Sequence, residues 1–294
     1  MRVSIVTISY NQARYLPRAM ASVLSQDYPD IEYIVVDPGS TDGSREVIDG
    51  WADRLAHVVL EPDRGPADGL NHGFRLATGD VLGYVNADDA LLPGAVREAV
   101  AYLEAHNDVD VVYGDGYLVD AEGRVIRLVE SSPFNLRRYS YNHVTVLQPA
   151  TFIRRSAFDR AGGFNPDNPV SWDGELVVDI ALGGGTLRHV GRKWAAWAIY
   201  PETISGSPRY AVQRRLEMDR LFQKIHGRDL RAIDALLEPL GRVERWLVSP
   251  QTAFRRLWGV LRGRPRLTLS ERDGPRVELV VGNGSRPDER GVDS

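Results

Sequence analysis

Over its first 113 residues the chain alternates short apolar runs with segments of helical periodicity, a rhythm that few folds accept. Residues 3–8, 31–36, 57–60, 80–85 and 109–113 read as strands. Between them, Leu16, Ala19, Met20, Val23 and Leu24 share one helical face, as do Ala95, Val96, Ala99, Val100 and Leu103. Asp42 opens a short helix carrying Val47, Ile48 and Trp51, and residues 67–77 form another that stops at Thr78-Gly79. Strands alternating with helices predict a parallel sheet with right-handed crossovers. The strand ends of such a sheet lie on one edge, where open α/β sheets bind ligands. Here they run into Ser9-Tyr10-Asn11-Gln12, Asp37-Pro38-Gly39-Ser40, Glu61-Pro62-Asp63-Arg64-Gly65 and Asn86-Ala87-Asp88-Asp89. Four polar strand ends therefore converge on one crevice.

The last of these ends is the most specific chemically. Adjacent carboxylates each raise the pKa of the other, so Asp88 and Asp89 together call for positive charge. A hard divalent cation, Mn²⁺ or Mg²⁺, takes one or two carboxylates together with the oxygens of a substrate diphosphate. The plainer alternative is that both residues cap the helix expected from about Pro93. Other classes are excluded by composition. The net charge of −4 argues against nucleic acid as a partner, and the absence of cysteine removes disulfides, thiolate metal sites and a Cys nucleophile. The six histidines show no metal-ligand spacing. Met1-Arg2 leads straight into a strand too short for a signal-peptide core, and no run of about 18 apolar residues exists to span a membrane. The expected compartment is the cytoplasm.

After residue 114 the rhythm changes. Residues 117–119 and 124–126 flank the turn Asp120-Ala121-Glu122-Gly123 and read as a hairpin. Residues 150–153 and 187–199 read as further strands with a helix over 175–182 between them. Helices are expected over 210–224 and 230–240, then a polar tail beyond Ser270 with one strand at 277–281.

Ser9-Tyr10-Asn11, Ser22-Val23-Leu24-Ser25-Gln26, Gly39-Ser40-Thr41-Asp42-Gly43, Glu61-Pro62-Asp63-Arg64-Gly65, Asn71-x-Gly73 and Ala77-Thr78-Gly79-Asp80 occur in an order that resembles family 2 glycosyltransferases. Asn86-Ala87-Asp88-Asp89 stands where that family carries its metal-binding Asp-x-Asp motif. The resemblance covers roughly residues 2–200. It implies a GT-A fold, a Rossmann-like and mostly parallel sheet flanked by helices, followed here by a C-terminal helical appendage. It also implies transfer of a hexose-type sugar from a nucleoside diphosphate donor, with UDP-sugar as the leading donor and inversion at the sugar carbon. The implied layout is a catalytic domain over 1–205, divided into a donor half (1–115) and an acceptor half (116–205), an appendage over 206–266 and a tail over 267–294.

Taken residue by residue, the resemblance makes Asp88 the cation ligand, with Asp89 beside it and Asn86 at the metal or ribose. Asn86 replaces an Asp found in many relatives, which leaves one carboxylate fewer. Ser9 and Tyr10 would belong to the donor site and Asp37 would face the nucleoside; Pro38 stands where many relatives carry a second Asp, which leaves the base open. Arg64 would meet the diphosphate, because guanidinium suits phosphate bidentately, and Asp68 and Asn71 would line the donor site. Plainer readings are a turn for Asp37, a solvated Arg64, and capping or solvation of their helix for Asp68 and Asn71. In Ser171-Trp172-Asp173-Gly174-Glu175, Asp173 falls on the family's catalytic base; the plainer reading is a helix N-cap. The Arg-x-His of many relatives is missing from Ala198-Ile199-Tyr200-Pro201-Glu202-Thr203, so no third metal ligand is identifiable.

Two other functions compete with sugar transfer. One is nucleotidyl transfer, weakened because the first strand lacks a Gly-rich loop followed by Arg and Lys. The other is non-catalytic binding of a nucleotide sugar as a scaffold. A separate feature is the basic stretch from Gly241 to Arg266, with Arg242, Arg245, Arg255, Arg256, Arg262, Arg264 and Arg266 against the single acidic Glu244. Phe254, Leu257, Trp258 and Leu261 share one helical face there, which suits peripheral contact with an anionic inner-membrane face through residues 250–266. Packing on the catalytic domain or on a second subunit in a homodimer would cover the same face.

Overall fold

The computed structural model describes residues 1–234. The expectations for the basic arm, the helix continuing to residue 240 and the strand at 277–281 lie outside the described residues. The described chain runs β1 (Val3–Ile8), α1 (Leu16–Leu24), β2 (Ile31–Val36), α2 (Ser44–Asp49), β3 (His57–Val59), α3 (Pro66–Leu76), β4 (Val81–Asn86), β5 (Ala90–Leu91), α4 (Ala95–Ala105) and β6 (Val111–Val119). It continues with β7 (Val125–Val129), α5 (Leu136–Ser140), β8 (Thr151–Arg154), α6 (Arg155–Ala161), α7 (Trp172–Leu182), β9 (Leu187–Ala198) and α8 (Ala211–His226).

The strands form one nine-stranded sheet in the order β3-β2-β1-β4-β8-β6-β9-β5, with β7 paired on β6. The first four strands are parallel neighbours, as the alternation of the sequence predicts. β8 then enters antiparallel between β4 and β6, and β9 runs parallel to β6. Both faces are covered, which is why the central strands are apolar at nearly every position rather than at alternate ones. Successive residues point to opposite faces, so Tyr33 and Val35 join one core with Leu16, Met20 and the inward face of α4. Ile34 and Val36 join a second core with Leu70, Phe74, Phe158, Trp172 and Leu176.

β6 differs from the expectation. The sequence suggested a strand ending at Tyr113 and a separate one at 117–119, because Gly114 and Gly116 normally weaken a strand. The structure has one continuous strand. A Cβ on Gly116 would run into the Ala195 carbonyl oxygen and lie 2.5 Å from Leu147 Cδ2, and one on Gly114 would lie 2.8 Å from the Trp194 ring. Both glycines therefore mark the close approach of β9, not a break. β5, α5 and α6 were not legible in the sequence. β5 is two residues long and exists through its pairing with Ala195 and Ala196 of β9. Among the described residues, no helix is long and apolar enough to cross a membrane.

Gly116→Ala is expected to destabilise the protein by about 1–3 kcal/mol, the usual cost of overpacking, because backbone on β9 cannot move aside as a flexible side chain would. Equilibrium urea unfolding would show the loss; an unchanged midpoint would mean that β6 and β9 are not in close register there.

Candidate active site

A cavity of about 480 Å³ opens where β1 and β4 end. Asn86, Asp88 and Asp89 line it from the β4 side, Gln148 and Tyr139 from the middle of the chain, Asp173 from the start of α7, and Tyr200 from the exit of β9. A second cavity of about 400 Å³ adjoins it, lined by Ser9, Tyr10, Pro38, Asp63 and Gly65, and shares Ile8, Gln12 and Pro66 with the first. Residues from both halves of the chain thus meet at the edge predicted from the strand pattern.

The two adjacent carboxylates have different environments. Asp89 is 1% exposed; its Oδ1 accepts the Ala198 N–H at 2.9 Å and its Oδ2 accepts Asn86 Nδ2 at 3.0 Å. Burial pushes its pKa well up, and the neighbouring Asp88 adds to the rise. Each of its oxygens thus accepts one hydrogen bond from within the fold, and the residue still lines the cavity beside Asp88. Asp88 is half-buried and faces the cavity. Its Oδ2 accepts the Tyr200 hydroxyl at 2.9 Å, and its carbonyl accepts Arg18 Nη2 at 2.7 Å. Burial raises its pKa, against the Tyr200 hydrogen bond and the Arg18 charge. Asn86 donates to Asp89 and, at 3.1 Å, to Gln148 Oε1, while its own Oδ1 is buried without a partner.

Ser9 and Tyr10 line the adjoining cavity, and Tyr10 is 62% exposed. Asp37 is fully buried. Its Oδ1 accepts the N–H groups of Gly39 at 3.1 Å and Ser40 at 2.8 Å, the turn that the plainer reading anticipated, and its Oδ2 is buried without a partner. Four donor-site candidates, Asp37, Arg64, Asp68 and Asn71, line neither cavity. Arg64 is solvent-exposed and pairs with Asp68 at 3.2 Å. Asn71 clamps the Phe164 backbone, donating to its carbonyl at 2.8 Å and accepting its N–H at 3.0 Å. Asp63, one residue before Arg64, lines the cavity instead. The sequence places the loop but not which of its charged side chains turns inward; Gly65, with φ of 132°, sets that locally.

Asp173 sits in the first turn of α7, one residue inside Trp172, with Ser171 at the N-cap. Burial raises its pKa, while its own N–H and that of Gly174 oppose the rise. A Cβ on Gly174 would run into the Tyr139 hydroxyl, so any larger residue beside Asp173 would displace the Tyr139 ring that lines the cavity. Glu175, two residues on, has a different task. It is 1% exposed and grips α8: Arg220 meets both of its oxygens, Lys224 Nζ lies at 3.1 Å and Asn168 Nδ2 at 2.9 Å. Burial alone would raise its pKa, but Arg220, Asn168 and Lys224 outweigh that and hold it at about 2. Gln148, Tyr200 and Arg18 escaped the sequence reading as site residues. Each lies outside the strand-end motifs and owes its place in the site to contacts distant along the chain.

The chain belongs to glycosyl transferase family 2, whose model matches residues 4–162. It is a glycosyltransferase with a GT-A fold. It is 32% identical over 182 residues to an uncharacterized glycosyltransferase of Mycobacterium tuberculosis, a match covering 61% of this chain and 69% of that protein. Its fold is similar to that of S. aureus TarS (residues 1–349) in complex with UDP-GlcNAc, with a TM-score of 0.61, 18% identity, and coverage of 76% of this chain and 71% of that one. It is also similar to the mannosyltransferase PcManGT of Pyrobaculum calidifontis in complex with GDP-Man and Mn²⁺, with a TM-score of 0.58, 22% identity, and coverage of 91% and 76%.

Glu175→Gln is expected to cost about 2 kcal/mol, below the usual figure for breaking a buried ion pair because solvent reaches the Arg220 guanidinium. The sign with pH follows from a depressed carboxyl pKa: the stabilisation is full above about 4.5 and disappears as pH falls toward about 2. Urea midpoints at pH 7 and pH 3 would show a smaller gap between variant and wild type at the lower pH; equal gaps would contradict the clamp.

Proposed function

We propose that the enzyme transfers a sugar from a nucleoside diphosphate donor to an acceptor hydroxyl with inversion, using Asp173 as base and Asp88 as the cation-facing carboxylate. The observation that carries this reading is that Asp88 and Asp173, distant in sequence, line one cavity. The adjoining cavity, with Ser9, Tyr10 and Asp63, would take the nucleoside. The complexes of the two fold relatives hold UDP-GlcNAc and GDP-Man, both nucleoside diphosphate sugars, which supports that class of donor. UDP-sugars are the first donors to test.

The residues present fit a hard cation. Asp88 offers a carboxylate, and the buried, unpartnered Oδ1 of Asn86 is an oxygen of the kind such ions take. Among the described residues, no group of three His, Cys, Asp or Glu is arranged to hold a metal. That scarcity suits an ion that keeps waters and takes substrate phosphate oxygens, as Mg²⁺ does, with Mn²⁺ taking similar ligands. A bound Mn²⁺ or Mg²⁺ would neutralise the diphosphate and make it a better leaving group. With such a leaving group no protonated acid is needed, and one carboxylate is enough. Asp173 takes the acceptor proton as the hydroxyl oxygen attacks the anomeric carbon. A raised pKa suits a base, because a weakly basic carboxylate would give little driving force for proton transfer.

Release of free nucleoside diphosphate from a panel of UDP- and GDP-sugars tests the reading; release of pyrophosphate from a nucleoside triphosphate would replace it with nucleotidyl transfer. Asp173→Asn is expected to lower kcat by at least ~10²-fold with little change in donor affinity. The wild-type kcat should rise with pH through a pKa above the ordinary carboxylate range. Asp88→Ala should abolish turnover and remove the Mn²⁺-dependent part of nucleoside diphosphate binding while leaving the fold intact. Full activity of that variant in the presence of chelator would refute the cation role.

A further inference from the structure

Tyr200 follows β9 and is 8% exposed. Its hydroxyl donates to Asp88 Oδ2 at 2.9 Å, and its ring stacks on Tyr15 with centroids 5.0 Å apart. The backbone around it is knitted tightly. The Tyr200 carbonyl accepts the Thr203 N–H at 3.1 Å and the Thr203 hydroxyl at 2.9 Å, and that hydroxyl accepts the Gly206 N–H at 2.9 Å. Arg214 Nη1 then donates to the Ile204 carbonyl at 2.6 Å. Residues 202–205 of this segment line the large cavity beside Asp173.

The backbone of Asp88 is already fixed without Tyr200. Arg18 holds its carbonyl at 2.7 Å, and the buried Asp89 next to it is bonded to Ala198. What these contacts leave open is the orientation of the Asp88 carboxylate. The Tyr200 ring, likewise, is anchored by burial and by stacking on Tyr15, so its hydroxyl is not needed to hold the ring. Besides accepting from the Gln12 side chain, the hydroxyl gives its one proton to Asp88, which places it to choose the rotamer of that carboxylate. Partners that orient a metal-binding carboxylate typically change metal affinity 10–100-fold when removed.

We propose that Tyr200 is a positioning residue: its hydroxyl holds one oxygen of Asp88 so that the carboxylate faces a divalent cation, and it joins the cation site to segment 202–205. The inference rests on the cation-facing role of Asp88 proposed above. It adds a residue from the acceptor half of the chain to the cation machinery. Movement of segment 202–205 would then alter cation binding through a single hydrogen bond.

The test is Mn²⁺ binding to the full chain in the presence of UDP or GDP, followed by the electron paramagnetic resonance signal of the free ion. Tyr200→Phe keeps the ring and its stacking. Its apparent Kd for Mn²⁺ is expected to rise about tenfold or more. Binding of the nucleotide without metal, and the metal-free melting temperature, are expected to stay as in wild type. In an Asp88→Asn background the same Tyr200→Phe change should no longer affect Mn²⁺ binding, a non-additivity that a merely structural role would not produce. A Tyr200→Phe protein that takes up Mn²⁺ at the wild-type midpoint overturns the inference and leaves the cation role of Asp88 standing. Wild-type protein that takes up no Mn²⁺ with either nucleotide overturns both.

Discussion

The buried carboxylate of Asp89 organises the site. One of its oxygens holds the Ala198 N–H and the other holds the Asn86 side chain, so a single side chain ties the end of β4 to the end of β9. Those strands are not neighbours in the sheet. β5, immediately after Asp89, repeats the connection through its pairing with Ala195 and Ala196. The turn carrying Asp88 is thereby fixed to β9, more than a hundred residues further along the chain. Burying a carboxylate is costly unless its oxygens are satisfied, and both hydrogen bonds go to groups that would otherwise need partners themselves. Burial raises the pKa of Asp89, and the carboxylate stands in the cavity wall beside the less buried Asp88.

The site contains two pairs of carboxyl groups close in sequence, and in each pair burial divides the labour. Asp89 is buried with both oxygens hydrogen-bonded while Asp88 is half-buried, and both line the cavity. Glu175 is enclosed and held ionised by Arg220 and Lys224, whereas Asp173 lies in the cavity wall with its pKa raised. The difference between Asp173 and Glu175 is one of helix geometry. Residues two apart on α7 project in different directions, so one meets the cavity and the other meets α8. The Glu175 clamp in turn packs α8 behind α7, which carries Asp173. The clamp to α8 and the base proposed for the reaction thus lie two residues apart on α7, in different hydrogen-bonding environments.

Much of this was legible in the sequence because it depends on local pattern. Strand and helix periodicity over the first 113 residues, the parallel order it dictates, and the convergence of four polar strand ends follow from side-chain spacing and chain handedness. The residues that line the two cavities from the strand ends, Ser9 and Tyr10 in one and Asn86, Asp88 and Asp89 in the other, follow from the same reasoning, and Asp173 was marked by its motif before a helix. Tertiary structure decided what depends on partners distant along the chain. It inserted β8 between β4 and β6, made β6 continuous through two glycines because β9 packs against them, and turned Asp63 inward while Arg64 paired with Asp68. It used Asn71 to hold Phe164, enclosed Asp89, and brought Tyr200 onto Asp88. Each of these depends on which distant groups satisfy a polar side chain or leave room for a Cβ, and no local sequence pattern encodes that.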